Sequence, residues 1–111
     1  MKQNLEIKNQ VKRILKIVEE LAPGRSVELR IPPYAVIQCV EGGNHRRGTP
    51  PNVVEMNAKT LLNLSFNPQN WDLLCSEGEI SASGTNSNLA ELFSKVSKII
   101  SNSNEELNDG K

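Results

Sequence analysis

The densest cluster of reactive side chains lies at residues 42–51, GGNHRRGTPP. Two guanidiniums, Arg46 and Arg47, and the chain's one imidazole, His45, stand beside glycines that let backbone N–H groups approach an anion. One reading is a polar mouth that grips the charged head of a ligand or an acidic patch on a partner. The plainer reading is a solvated turn shaped by its glycines and prolines, with Glu41 and Glu55 on the flanking strands tying the arginines down. No Gly-Lys-Ser/Thr follows, so the segment is not a nucleotide phosphate loop. With one histidine and no HxH or HExxH spacing, neither a metal nor any other cofactor is expected. A nucleophilic set would have to join Cys39 to His45 and Glu41 or Glu55. Strand neighbours at odd separations point to opposite faces, and there is no GxSxG elbow. Cys39 and Cys75 therefore read as small buried hydrophobes.

The elements that would carry these residues follow from periodicity. Leu5, Val11, Ile14, Leu15, Val18 and Leu21 form one helical stripe, with Lys8, Lys12, Arg13, Lys16, Glu19 and Glu20 mostly on the solvated side. Pro23-Gly24 ends that helix. Val27, Leu29 and Ile31 alternate with polar residues as a strand with one buried face, and Pro32-Pro33 breaks it. Residues 34–41, YAVIQCVE, are apolar on both faces, which predicts a strand inside the sheet. NVVEM at 52–56 is a short strand. Asn57 caps a helix carrying Leu61, Leu62 and Leu64. Asn67-Pro68 opens a short helix, with Asn67 as its cap, that holds Trp71, Leu73 and Leu74. Ile80 and Ala82 face inward from the next strand. The last helix presents Leu89, Leu92, Phe93, Val96, Ile99 and Ile100 on one face, capped by Asn86 or Ser87. Trp71 and Phe93 read first as core. This order predicts a mixed sheet covered by helices on one side.

Composition bounds the rest. At 111 residues the chain has room for one domain, expected over 1–100, with a disordered tail at 101–111 that has almost nothing to bury. Thirteen basic residues cancel thirteen acidic ones, which gives no general field for nucleic acid or an anionic surface. No apolar run approaches ~18 residues, so no transmembrane segment is expected. Two thiols without a CxxC suit a reduced, cytoplasmic setting. Leu, Ile and Val supply 28 residues against four aromatics, a core able to close tightly or to leave a slot for an aliphatic ligand.

From Asn52 to Phe93 the sequence resembles the sterol carrier protein 2 family, through NVVEM, NAKTLLNL, PQNWDLLCSE, GEISASG and NLAELF. The glycine-bracketed strand from Gly78 to Gly84 is the most specific of these pieces. APGRSVELRIPPYAVIQCVEG and HRRGTPPNVVE look like the actinobacterial branch, so the resemblance covers about Val11 to Phe93. It implies an α+β fold, a mixed four- to five-stranded sheet covered on one face by helices, with a hydrophobic cavity between them. Two departures are expected: a Pro-Pro break in place of the first hairpin, and four strands where a fifth has shrunk into the 42–51 loop. Asn67 stands where the family has a glycine.

Three functional readings follow. The first is a non-enzymatic carrier of an aliphatic or lipid ligand lined by Ile37, Cys39, Leu61, Leu73, Leu89, Phe93 and Val96, with His45, Arg46, Arg47 and Glu55 as polar mouth. The second is an accessory module with a filled core and a protein partner. The third is a small enzyme using His45, Arg46 and Glu55.

Overall fold

The computed structural model describes residues 4–42 and 50–109, excluding the side chains of 104–109. Among these are four helices, α1 (Leu5–Leu21), α2 (Ala58–Phe66), α3 (Trp71–Ser76) and α4 (Ala90–Asp109), and four strands, β1 (Val27–Ile31), β2 (Ala35–Cys39), β3 (Asn52–Met56) and β4 (Ile80–Ser83). The sheet order is β2-β1-β3-β4. β1 runs antiparallel to β2 and parallel to β3, and β3 runs antiparallel to β4. This is the mixed four-stranded α+β architecture expected.

The apolar stripe of α1 buries Val11, Ile14, Leu15 and Val18, each worth about 1.5–3 kcal/mol when removed from water. They meet Val27, Leu29 and Ile31 of β1, Val54 and Met56 of β3, and Leu61 and Leu64 of α2 in one core cluster. Among the described residues, the opposite face of the sheet carries no helix. Arg30 there bonds Glu28 and lies 3.8 Å from Glu55. Helical geometry in α4 continues past Ser101 to Asp109.

Several local expectations need correction. Pro32-Pro33 does not replace the hairpin but forms its turn: the peptide bond is cis and Tyr34 N–H donates to the Ile31 carbonyl at 2.8 Å. β2 is an edge strand rather than an interior one, because nothing described pairs beyond it. Asn57 caps α2 as expected, accepting from Thr60 N–H at 2.8 Å. Asn67 makes no such bond; its amide donates back to the Asn63 carbonyl, and a 3-10 turn over Pro68–Asn70 precedes α3. Ile80 is buried but Ala82 is exposed, although both lie on one side of β4. At the start of α4, Asn88 rather than Asn86 or Ser87 accepts from a free N–H, that of Ala90. The Ser87 hydroxyl instead donates to the Gly84 carbonyl, and Asn86 donates its backbone N–H to the Asn52 side chain.

Candidate functional site: two clefts around a closed core

One end of the sheet is built around a buried amide. Asn52, at the start of β3, donates to the Ser26 carbonyl (3.0 Å) and hydroxyl (3.1 Å), and its oxygen accepts from Asn86 N–H (2.9 Å). Those bonds tie together the entry of β1, the entry of β3 and the β4–α4 connection. Gly84 must be a glycine: its φ is +105°, and a Cβ would come 2.2 Å from the Asn52 amide oxygen. Val40 has φ +67°, a left-handed conformation that a β-branched residue adopts only when its surroundings impose it. Its N–H is held by the Ala22 carbonyl at 2.7 Å and its carbonyl by Ser26 N–H at 2.9 Å.

Beside this hub lies a wide, polar-rimmed cleft of about 570 Å³, lined by the end of α1 (Leu21, Ala22), by Val40 and Glu41, by Thr85, Asn86 and Asn88, and by Leu89, Glu91, Leu92 and Lys95. A second, narrower groove of about 160 Å³ opens on the outer side of the helix layer. Its walls are Gln10, Arg13 and Ile14 of α1, Leu62 and Phe66 of α2, and Ile100 of α4. Phe66 is 55% exposed, so a large apolar ring stands open to a ligand at this junction.

The residues named from sequence distribute unevenly over this frame. Cys39, Leu61, Phe93 and Val96 are fully buried and Leu89 nearly so, all in the core cluster, with Ile37 packed against it. Leu89 also lines the wide cleft. Leu73 does not join them and is 53% exposed. In the six-residue α3 the buried anchor is Trp71, and two residues further on a helix turns about 200° away. Glu55 sits on the sheet face away from the core, 3.8 Å from Arg30. His45, Arg46 and Arg47 lie outside the described residues. The groove is hidden in the sequence because Arg13 reads as part of a solvated face. The available signal was Leu62 and Phe66, four apart at the end of α2, one more apolar pair than that helix needs to cover the sheet.

Burial pushes the Cys39 thiol up from 9.0 to about 11, with the Glu19 charge adding to the effect. Burial, and then Asp72, raise Cys75 as well. Neither is an activated nucleophile. Among the described residues no three His, Cys, Asp or Glu side chains converge to hold a metal ion, and no helix is long and apolar enough to cross a membrane.

A sheet of this order with helices on one face matches a solved structure, the "UbiJ-SCP2 Ubiquinone synthesis protein". The TM-score is 0.51 at 10% sequence identity, over 87% of this chain and 93% of that one. At that identity the likeness concerns the fold. The family model described as "Bacterial SCP ortholog" matches residues 3–94. This chain belongs to that bacterial SCP family. The match spans α1 through the start of α4 and includes both the Asn52 hub and the groove wall formed by α1 and α2. No curated protein gives a significant match.

Proposed function

We propose that this SCP-family chain is a non-enzymatic carrier of an aliphatic ligand, seated in the groove between α1, α2 and α4. The observation that carries this reading is the groove itself: an apolar floor of Ile14, Leu62, Phe66 and Ile100 with one guanidinium, Arg13, at its edge. That pairing suits a hydrocarbon chain ending in an acid group. Family membership supports the same class of ligand.

Size narrows the ligand. About 160 Å³ is below the roughly 300–1,000 Å³ of ordinary small-molecule sites and corresponds to about five water-sized volumes. A fused ring system does not fit, whereas the end of an unbranched chain does. A longer chain goes deeper by parting Ile14 and Leu62 toward Leu61, Phe93 and Val96, so the sequence-named lining becomes the second layer of the site. Fluorescent polyunsaturated fatty acid titrated into the wild type and into Phe66→Asp and Arg13→Glu tests the reading. Both substitutions are expected to weaken binding at least tenfold while leaving the circular dichroism spectrum unchanged. Equal binding by all three proteins would remove the groove from the account.

The accessory-module reading keeps one specific support. Cys39, Leu61, Phe93 and Val96 are fully buried, and a filled core is what an interaction domain without cargo would have. Phe93→Ala separates the two. The cavity it opens costs about 3–5 kcal/mol in either case, but only a carrier then binds its chain more tightly or accepts a longer one.

A further inference from the structure

The pattern of β2 and its position disagree. Ala35, Ile37 and Cys39 face the core, yet Val36, on the other face, is also apolar and is 58% exposed. Such a strand reads as paired on both sides, but it ends the sheet. Its free hydrogen-bonding groups follow from the ladder. The Ser26 carbonyl accepts from Asn52 N–H, so the even-numbered residues of β1 turn toward β3 and the odd-numbered ones toward β2. Ala35, Ile37 and Cys39, opposite Ile31, Leu29 and Val27, are therefore spent on β1. The N–H and C=O groups of Val36 and Gln38 point outward, and among the described residues no backbone partner meets them. The next outward group, Val40 N–H, is already held by Ala22.

The charge beside this edge comes from α1, which runs along β2 in the same direction. Asn4 N–H donates to the Tyr34 hydroxyl at one end, and Ala22 holds Val40 at the other. Val11, Leu15 and Val18 point into the core, while Gln10, Arg13 and Ile14 face the groove toward α2 and α4. A 3.6-residue helix leaves Lys8, Lys12 and Lys16, spaced by four, on the remaining flank along β2. Glu19 follows them at the Cys39 end and closes the basic stretch. The other edge, β4, exposes only Ser81, Ala82 and Ser83.

We propose that the outer edge of β2 receives an acidic, extended segment of a partner protein as a fifth strand, its backbone bonded to Val36 and Gln38 and its carboxylates set against Lys8, Lys12 and Lys16. Strand addition of this kind takes its affinity from main-chain bonds and its selectivity from side chains at alternate positions. A second copy of this chain fits less well. Adjacent strands lie about 4.8 Å apart, and α1 packs on β2 itself. A two-fold pairing would bring the two α1 helices closer than the 8–10 Å that helix packing requires.

The test uses the full chain and two labelled peptides, one alternating glutamate with threonine and one alternating lysine with threonine, followed by fluorescence anisotropy at low salt. The glutamate peptide is expected to bind with a Kd below about 1 mM and at least tenfold more tightly than the lysine peptide, and to slow amide exchange at Val36 and Gln38. Val36→Pro removes an outward N–H that the ladder does not use and is expected to weaken binding at least tenfold. Should that variant lose its fold by circular dichroism, the triple change Lys8→Glu, Lys12→Glu, Lys16→Glu carries the same expectation at the surface. Equal binding of both peptides, no binding of either, or binding that leaves Val36 and Gln38 exchange unchanged would overturn the proposal. So would sedimentation showing a dimer of the free chain that Val36→Pro abolishes.

Discussion

Asn52 is the residue on which one end of the molecule depends. Its amide satisfies a serine hydroxyl and a backbone N–H that are otherwise enclosed, so replacing it with an apolar residue of similar size strands them. Asn52→Leu is expected to cost about 2–4 kcal/mol in urea unfolding, far more than a typical surface change. Cys39 makes a pH-dependent contribution of the opposite kind from a salt-bridged carboxylate. Its folded value, about 11, lies above its ordinary 9.0, so the folded state holds the proton that the unfolded state releases. The stabilisation is complete below pH 9 and is lost as pH rises toward 11. At about 1.4 kcal/mol per unit this amounts to roughly 2–3 kcal/mol. Cys39→Ala is expected to flatten the wild-type decline in stability between pH 9 and 11, as followed by denaturant unfolding across that range. An equally steep decline in the variant would assign it to other groups.

At the scale of elements, capping is the most readily measured link between sequence and structure. The Asn57 side chain accepts from Thr60 N–H, and Asn57→Ala is expected to cost about 1 kcal/mol in thermal or urea unfolding; no change would mean that α2 is held by packing alone. That cap was legible because an asparagine before an apolar helical run has one low-energy use. The stripe of α1 and the alternation of β1 were legible for a similar reason, since each buries a single face. β2 was not. Apolar residues on both of its faces predict an interior position, and only the pairing partners, which sequence pattern does not contain, reveal an edge. Asn67 misled because its amide has a competing acceptor in the Asn63 carbonyl, one turn back. Ala82 misled because alternation gives the side of the strand but not how far the helices extend over it. The sequence points to an apolar slot with a cation at its rim, and the groove proposed above has that composition from other residues, Ile14, Leu62, Phe66 and Ile100 beside Arg13. Phe93, Cys39 and Val96 have the residue types of a cavity wall, and whether such side chains meet or leave a gap depends on element separations of a few ångströms.

Over the whole molecule, the helices cover one side of the sheet except at Ala82 near the end of β4, and the other side carries Arg30 shared between Glu28 and Glu55. A neutral chain with a sealed sheet–helix core has few places to take an aliphatic ligand, and the α1–α2–α4 junction is the apolar one of its two described clefts. The central claim is therefore that cargo enters through the helix layer. Native mass spectrometry of the freshly purified wild type, alone and with equimolar palmitate, against Phe66→Asp treated identically, tests it most directly. The account predicts a one-to-one adduct of fatty-acid mass on the wild type that is absent from Phe66→Asp. An adduct of equal intensity on both proteins, or none on the wild type, would contradict it.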